Sequence, residues 1–190
     1  MTPDFDKDRA DASAWAQTML EQRCVILDSE TTGLDGDAEI VQLSVINAQG
    51  VTLFDTLIQP SDPQLLLRPG KGGLCAAEIH GIYPEHLAEA PLFRDVYSEL
   101  WKVLRDRPLV IYNRAYDTRV LKHCCALAGV QVPYTKTNTY CAMLTYAQFV
   151  GEWNDYRGDY RWQPLDGGDH SALGDCRATL KLLKRMAAAE

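Results

Sequence analysis

Residues 25–34 read VILDSETTGL, an apolar run that leads into two carboxylic acids one residue apart. Because successive side chains of a strand point to opposite faces, Asp28 and Glu30 are expected on one face, where their charges repel. Without a partner, one of them would hold its proton at neutral pH, whereas a bound divalent cation needs both carboxylates ionised. The stretch predicts a buried strand with a candidate metal site at its end.

The composition of the chain is that of an ordinary globular protein. It has 190 residues, enough for one well-packed domain, of which 46% are hydrophobic and 24% charged. No apolar run approaches the roughly 20 residues that cross a bilayer, so no contact with a membrane is expected. The acidic, polar stretch over residues 1–13 is unlike a secretory signal.

Net charge and cysteine spacing narrow the classes of function. The formal net charge of −7 argues against a protein that coats nucleic acid, but metal ions at a carboxylate cluster would still allow an enzyme to act on a polyanion. The six cysteines are scattered without a CxxC pair, so neither a zinc site nor a disulfide framework is indicated. We expect small buried thiols in a reduced, cytoplasmic protein.

Hydrophobic periodicity predicts a single α/β domain. The predicted strands cover residues 24–27, 39–47, 51–58, 109–112 and 137–140. The first three are expected to form a meander. The predicted helices cover residues 8–22, 75–80, 84–89, 92–105, 115–128, a stretch ending near 150, and 172–188. Residues 151–169 are predicted as a polar, aromatic loop because they show no clear period.

Two further acidic residues lie where they can join the opening pair. Asp117 follows the fourth strand and falls in the first turn of a helix, and Asp175 lies near the start of the last helix, five residues after His170. If the first and fourth strands are neighbours, all four carboxylates converge on one pocket. Two metal ions about 3.5–4 Å apart would use such a set. Taken singly, an Asp in a first helical turn is commonly a capping residue.

Three motifs, met in order along the chain, resemble those of the DEDDh 3′–5′ exonucleases. This family includes the proofreading epsilon subunit of bacterial DNA polymerase III and ribonuclease T. The motif DxETTG is present at 28–33, HNxxFD is matched by YNRAYD at 112–117, and HxAxxD is present at 170–175. The sequence IHGI at 79–82 also lies in its expected place between the motifs.

The resemblance implies a fold and a division into domains. It covers about residues 23–187, so we expect an N-terminal helical extension over 1–22 and an exonuclease domain over 23–190. The family fold is ribonuclease-H-like, an α/β architecture in which helices flank a mixed five-stranded sheet.

The resemblance also implies an activity, the hydrolysis of 3′ ends of single-stranded nucleic acid to nucleoside 5′-monophosphates, with DNA favoured over RNA. The residues implied to be catalytic are Asp28, Glu30, Asp117, His170 and Asp175. The four carboxylates are implied to hold two Mg²⁺ or Mn²⁺ ions, and His170 to take a proton from the attacking water as general base. An imidazole suits this task, because its ordinary pKa of about 6.5 lies near neutrality.

A binding place for the terminal nucleotide follows from the same resemblance. The residues expected to bind substrate are Thr31, Ala76, Ile79, His80, Asn113 and Tyr116. Tyr116 can stack on a base, since aromatic faces accept bases with little sequence preference. His80 is equally well explained as a helix-end residue with local hydrogen bonds.

Some residues depart from the family pattern or lie between its motifs. Tyr112, Arg114 and Tyr116 stand where the family commonly has His, a small residue and Phe, which leaves open how the end of the substrate is held. The aromatic residues of 151–169 either stack on single-stranded substrate or cover the core, and for Trp162 we favour the core.

Rival functions and several partners stay open. An inactive relative could serve as a binding module, although such a relative would be expected to lack a metal ligand. A structure-selective endonuclease on the same fold lacks the third-motif histidine in this arrangement. An exoribonuclease that trims RNA 3′ ends is a third alternative, because recognition of a 2′-OH depends on pocket geometry. Besides a single-stranded 3′ end, candidate partners are a DNA polymerase, a repair protein, and a second copy of the chain in a homodimer.

Overall fold

A computed structural model describes residues 3–70 and 72–189 of the chain. Residues 1, 2, 71 and 190, which fall within the two predicted domains, lie outside the described residues. No helix in the described part is both long and apolar enough to span a membrane.

The central sheet of the described part is mixed. Its strands are β1 (Val25–Thr31), β2 (Ile40–Asn47), β3 (Thr52–Leu57), β4 (Leu109–Ile111) and β5 (Thr139–Cys141). Their order across the sheet is β3-β2-β1-β4-β5. The first three form the predicted antiparallel meander, whereas β1, β4 and β5 run parallel because helices connect them. The expected five-stranded α/β sheet is therefore confirmed.

Helices flank the sheet close to where periodicity predicted them. They are α1 (Phe5–Glu21), α2 (Ala76–His80), α3 (Phe93–Leu104), α4 (Arg114–Ala128), α5 (Ala142–Val150) and α6 (Ala172–Ala187). Local chemistry sets their ends: the Asp4 carboxylate caps α1 by accepting from the Lys7 amide, and Gly129 ends α4 with a left-handed φ of 69°. The helix predicted over 84–89 is only a 3₁₀ turn at Pro84–Leu87, since a single turn is too short for an α-helix.

Alternate residues of β1 pack into two cores. Val25 and Leu27 face α3 and α4, whereas Ile26 faces α1, α5 and α6. Because helices cover both faces of the sheet, the strand is apolar throughout until it reaches Asp28. The six cysteines are free, and all but Cys141 are buried. The helix α1 packs against α5 and α6, while the predicted division of the chain at residue 22 stays a prediction.

The strand β1 continues beyond its last parallel partner. Its pairing with β4 stops at Leu27, but its antiparallel pairing with β2 continues to Thr31. Asp28 and Glu30 therefore lie within the strand, which corrects the strand end expected at Leu27. Alternation along the extended strand keeps both carboxylates on the face that α6 covers.

The segment predicted as an irregular loop, 151–169, contains a short hairpin. Its strands are β6 (Trp153–Asn154) and β7 (Asp159–Tyr160). Trp153 packs edge-on against Tyr160 at 5.2 Å between ring centroids, and the Tyr160 hydroxyl donates to Asp8 of α1 at 2.6 Å. Trp162 is 63% exposed, so its expected place over the core is wrong. The ring of Tyr160 packs instead against Phe5 of α1, at 6.2 Å between ring centroids.

Candidate active site

Three carboxylates from two elements meet at one end of the sheet. Asp28, Glu30 and Asp175 each offer an oxygen, and these oxygens lie within 4.8 Å of one another. The first two share a face of β1, and Asp175 stands in the first turn of α6, which packs across β1 and β2. Cys176, buried beside it, seats α6 on the sheet through contacts with the Ile26 and Ser44 carbonyls. The convergence of these three residues follows from ordinary helix-on-sheet packing.

The fourth predicted ligand, Asp117, approaches from the opposite face of the sheet. It is buried in the first turn of α4 and is not one of the three carboxylates that meet within 4.8 Å. Ser29, which points from β1 toward α4, donates its hydroxyl to Asp117 Oδ1 at 2.7 Å. Ser29, which lies between Asp28 and Glu30 in the chain, therefore orients the Asp117 carboxylate. The local sequence pattern did not predict this role.

Burial and mutual repulsion raise the pKa values of the clustered carboxylates. Desolvation raises the pKa of Glu30 to about 8 and that of Asp117 to about 7, and it raises the pKa of Asp28 well above its usual range. Neighbouring carboxylates add to the rise in the pKa of Asp28 and Glu30. Burial also raises the pKa of Asp175. No ion pair in the described part includes any of the four.

A donor set of this kind fits divalent cations. Hard cations such as Mg²⁺ and Mn²⁺ take oxygen ligands, and a bound cation reverses the effect of burial on a carboxylate. Asp28, Glu30 and Asp175 supply such oxygens at short range, with Asp117 behind them. The residues present therefore fit the metal-dependent chemistry that their motifs predict.

The candidate base, His170, lies on the turn that precedes α6. Its side chain is exposed and its φ of 58° is left-handed, a conformation uncommon for residues other than glycine. The turn is closed by Asp169, whose amide donates to Asp175 Oδ1 at 3.0 Å and whose carboxylate accepts from the Ser171 amide and hydroxyl. Ser171 in turn caps α6 by accepting from the Gly174 amide. These bonds keep His170 next to Asp175.

A cavity of about 490 Å³ opens beside Glu30. Five of the six residues expected to bind substrate line it: Thr31, Ala76, Ile79, His80 and Tyr116. Asn113 is not among its described lining residues and lies instead at the N-cap of α4. Lining residues that the sequence analysis missed include Leu34, Leu65, Arg68 and Leu74. The prolines and glycines of 60–73 indicated a turn-rich segment, but no local pattern indicated that it forms a cavity wall.

Hydrogen bonds fix the ring of His80. Its Nδ1 accepts from the Ile82 amide at 3.1 Å, so its Nε2 carries the proton and donates to the Thr31 carbonyl at 3.1 Å. Burial lowers the pKa of His80, which agrees with a neutral ring. Both ring nitrogens are therefore engaged by the main chain, and the His80 ring supports Thr31 at the cavity edge.

Tyr116 connects the second motif to the first. Its hydroxyl donates to the Gly33 carbonyl at 2.6 Å and lies 2.5 Å from Thr31 Oγ1. The Arg119 guanidinium stacks on its ring, 5.1 Å from the centroid, and also donates to the Leu34 carbonyl. The Tyr116 side chain is thus held from several directions where it borders the cavity.

Comparisons with known proteins agree with this architecture. The family model RNase_T, described as an exonuclease, matches residues 25–183. A relative, the uncharacterized exonuclease CP81 of Escherichia phage 186, is 33% identical over 193 residues, which cover 94% of this chain and 95% of the relative.

Two more distant similarities extend the comparison. The epsilon subunit of DNA polymerase III from Escherichia coli (strain K12) is 30% identical over 123 residues, which cover 63% of this chain and 49% of that subunit, so the chain spans about half of its length. The zinc-bound form of the E. coli ExoI–ssDNA complex shares the fold, with a TM-score of 0.62 and 16% identity over 85% of this chain and 40% of that one. The family match and its motifs together show that the chain belongs to the exonuclease family, as a 3′–5′ exonuclease of the DEDDh group.

Proposed function

We propose that the protein removes nucleotides one at a time from the 3′ ends of single-stranded DNA and releases nucleoside 5′-monophosphates. The observation that carries the proposal is the meeting of three carboxylates beside a cavity large enough for one nucleoside. DNA is preferred over RNA in this proposal because the relatives named above include a subunit of a DNA polymerase and an exonuclease bound to single-stranded DNA.

Asp28, Glu30, Asp117 and Asp175 would hold two Mg²⁺ or Mn²⁺ ions in this proposal. When bound, such ions lower the pKa of a coordinated water and offset the charge that develops on the attacked phosphate and on the leaving oxygen. Support comes from the raised pKa values of the four carboxylates. Burial disfavours their ionised forms, and a bound cation would offset this cost.

His170 is the proposed general base. A ring nitrogen accepts the proton of the attacking water as its oxygen bonds to phosphorus and the bond from phosphorus to the 3′ oxygen of the preceding nucleotide breaks. The terminal nucleotide leaves with the phosphate, the 3′ oxygen stays on the shortened strand and takes a proton from solvent, and no covalent bond to the protein is needed. The exposed ring can reach a water in the mouth of the site and pass the proton to solvent. The Asp169 bonds to Asp175 and Ser171 keep the turn that carries His170 against the carboxylates.

The cavity beside Glu30 is the proposed place of the terminal nucleoside. Ala76, Ile79 and the ring of Tyr116 offer apolar contact to a sugar and base. The proposed contact for the 3′ hydroxyl is the main chain at Thr31, whose carbonyl His80 holds in place. This arrangement favours removal of the last nucleotide over cleavage within a strand.

Partners and location belong to the same proposal. A DNA polymerase is a candidate partner because one relative is a subunit of such an enzyme, and a repair protein or a second copy of the chain remain further candidates. A cytoplasmic location is supported by the six free thiols, which persist in a reducing compartment.

A direct test uses 5′-labelled DNA and RNA strands of the same sequence, incubated with Mg²⁺, with Mn²⁺ or with excess EDTA. The proposal expects stepwise shortening from the 3′ end, release of 5′-monophosphates, faster cutting of DNA and no cutting in EDTA. Internal cuts would instead identify an endonuclease, and binding without cutting would identify a binding module. Faster cutting of RNA would favour the exoribonuclease alternative, and full activity in EDTA would overturn the metal-dependent mechanism.

A further inference from the structure

The three positions at which the second motif departs from its family each contact a neighbouring segment. The Tyr112 hydroxyl donates to the Gln163 carbonyl at 2.6 Å, and the Tyr116 hydroxyl donates to the Gly33 carbonyl at 2.6 Å. Arg114 Nη1 donates to the Thr139 carbonyl of β5 at 3.0 Å. At position 116 the Phe that the family commonly has would fill similar space without a donor, so the hydroxyl is what Tyr116 adds. At position 112 a Phe would likewise leave the Gln163 carbonyl without the donor that Tyr112 supplies.

The Tyr112 contact restrains the segment that leads to the candidate base. The Gln163 carbonyl, which accepts from the Tyr112 hydroxyl, lies at the start of the segment 163–170 that leads to His170. Farther along the chain, Asp166 Oδ2 lies 3.5 Å from Arg185 Nη1, and the Asp169 amide donates to Asp175 Oδ1. The Arg185 pair is exposed and therefore weak, whereas the Tyr112 hydroxyl is partly buried and forms a short bond.

A main-chain hydrogen bond fixes the position of Tyr112 itself. Its own carbonyl accepts from the Met143 amide at 3.0 Å, which ties the end of β4 to the start of α5. Burial raises the pKa of Tyr112 to about 12, so the hydroxyl keeps its proton and remains a donor throughout the working range of pH. The tyrosine thus connects the sheet to the turn before α6.

The Tyr116 contact restrains the other side of the site. Gly33 has a φ of 153° and follows the two threonines of the first motif, where β1 turns away from the sheet. The Tyr116 hydroxyl binds its carbonyl and the Thr31 hydroxyl together, and both of these residues line the cavity beside Glu30. This turn is a cavity wall that the tyrosine holds against α4.

We propose that the hydroxyls of Tyr112 and Tyr116 are positioning groups: Tyr112 sets the segment that presents His170, and Tyr116 sets the wall that receives the terminal nucleoside. The proposal rests on the proposed function. Catalysis is sensitive to such restraints, since a misplacement of about 1 Å can cost about 10²-fold in rate. The two tyrosines therefore act on different kinetic constants, Tyr112 on kcat and Tyr116 on KM.

The test compares Tyr112→Phe and Tyr116→Phe with a matched control, Tyr97→Phe. The Tyr97 hydroxyl also donates to a main-chain carbonyl, that of Gln131 at 2.7 Å, but it lies on α3 and borders neither the cavity nor the carboxylates. We expect Tyr112→Phe to lower kcat about tenfold with KM near the wild-type value, within the loss that misplacement causes. Tyr116→Phe should raise KM several-fold with a smaller change in kcat. Tyr97→Phe should change neither constant, although it too loses one hydrogen bond.

Amide hydrogen exchange gives a second measurement that does not depend on activity. Tyr112→Phe should speed exchange over 161–170, Tyr116→Phe should speed it over 31–35, and Tyr97→Phe should do neither. Exchange that is unchanged in both segments overturns the inference, whether or not the protein cuts DNA. Kinetic losses that Tyr97→Phe shares would also overturn it, because a general loss of stability would then explain them. If the wild-type protein cut no strand, only the proposed function would be overturned. The exchange rates of the two segments would still test whether the hydroxyls restrain them.

Discussion

The carboxylates of β1 and the histidine before α6 belong to one candidate site but lie in unlike surroundings. Asp28 and Glu30 project from a strand that is paired with β2 along its whole length. His170 is exposed and adopts a left-handed backbone conformation in a turn held by a few hydrogen bonds. Repelling charges need fixed distances, which regular elements provide, whereas a base must exchange a proton with solvent. We call Asp28 and Glu30 on β1 the strand side of the site and His170 on its turn the turn side. Substitutions on the strand side should therefore abolish turnover, whereas substitutions on the turn side should lower it in part.

The largest expected effect is that of Asp28→Asn. The substitution keeps the size of the side chain but replaces one of the three converging carboxylates with a neutral amide, so turnover should fall to background even at saturating Mg²⁺. Nucleotide release from a labelled strand measures it, with Glu99→Gln on the exposed face of α3 as control. Turnover close to that of the control would mean that Asp28 is not needed to hold metal.

His170→Ala should have the next largest effect. Loss of a general base typically slows a reaction by about 10²–10⁴-fold, while binding of metal and DNA should survive because no carboxylate is changed. Single-turnover rates and strand affinity, measured over a range of pH, separate the two properties. His123→Ala on α4 is the matched control. If His170→Ala turned over at the wild-type rate across that range, another group would activate the water.

Ser29→Ala should lower activity less than the two substitutions above, because it changes a residue that orients a carboxylate and not the carboxylate itself. Removing the hydroxyl leaves the buried Asp117 carboxylate without its 2.7 Å donor. Groups that orient a metal ligand typically contribute about 10–100-fold in metal affinity or activity, so a loss in this range is expected. Mg²⁺ titration of activity measures it. Ser29→Thr keeps a hydroxyl and should restore most of the loss, whereas equal losses in both variants would indicate a packing defect.

Local patterns predicted the strand side of the site better than the turn side. Alternation along β1 is a property of neighbouring residues, so it placed Asp28 and Glu30 on one face without knowledge of the fold. The approach of Asp175 needed only the additional rule that a helix packs on that face. The bond from Ser29 to Asp117 joins residues 88 apart, and no local period carries such information. The local pattern of the sequence therefore assigns no role to Ser29.

The cavity wall was beyond reach of the sequence for a related reason. Leu65, Arg68 and Leu74 belong to a segment whose course is set by prolines, glycines and single hydrogen bonds, such as that from the Gly70 amide to the Leu74 carbonyl. These bonds give no repeating pattern of polar and apolar residues. The hairpin at 153–160 was missed because its strands have two residues each. Where the chain is regular the sequence predicts it, and where single contacts decide its course the structure is needed.

The smallest expected effect concerns stability and follows from the repulsion among the carboxylates. The folded-state pKa of Glu30, about 8, exceeds the ordinary value of 4.5, and that of Asp117, about 7, exceeds 3.8. The folded state therefore binds protons more tightly than the unfolded chain. Stability from these groups is complete below the ordinary pKa values and is lost as pH rises through the folded-state values. In EDTA, Tm should fall as the pH rises from about 4.5 to about 8, by about 2–4 °C for each kcal/mol lost in a chain of this size.

Saturating Mg²⁺ should remove most of this fall, because a cation that binds only the folded state stabilises it. Asp117→Ala and Asp28→Ala should also relieve the repulsion and raise Tm in EDTA, but Asp117→Asn separates the effect of charge from the effect of the hydrogen bond more clearly. The amide oxygen of Asn can still accept from Ser29, whereas Ala leaves that buried hydroxyl without a partner. In EDTA near pH 8, Asp117→Asn should raise Tm, and in saturating Mg²⁺ the same variant should show no turnover. His170→Ala, outside the buried cluster, should leave Tm in EDTA almost unchanged. A lower Tm for Asp117→Asn in EDTA would mean that the charged carboxylate, and not its hydrogen bond, holds α4 against β1.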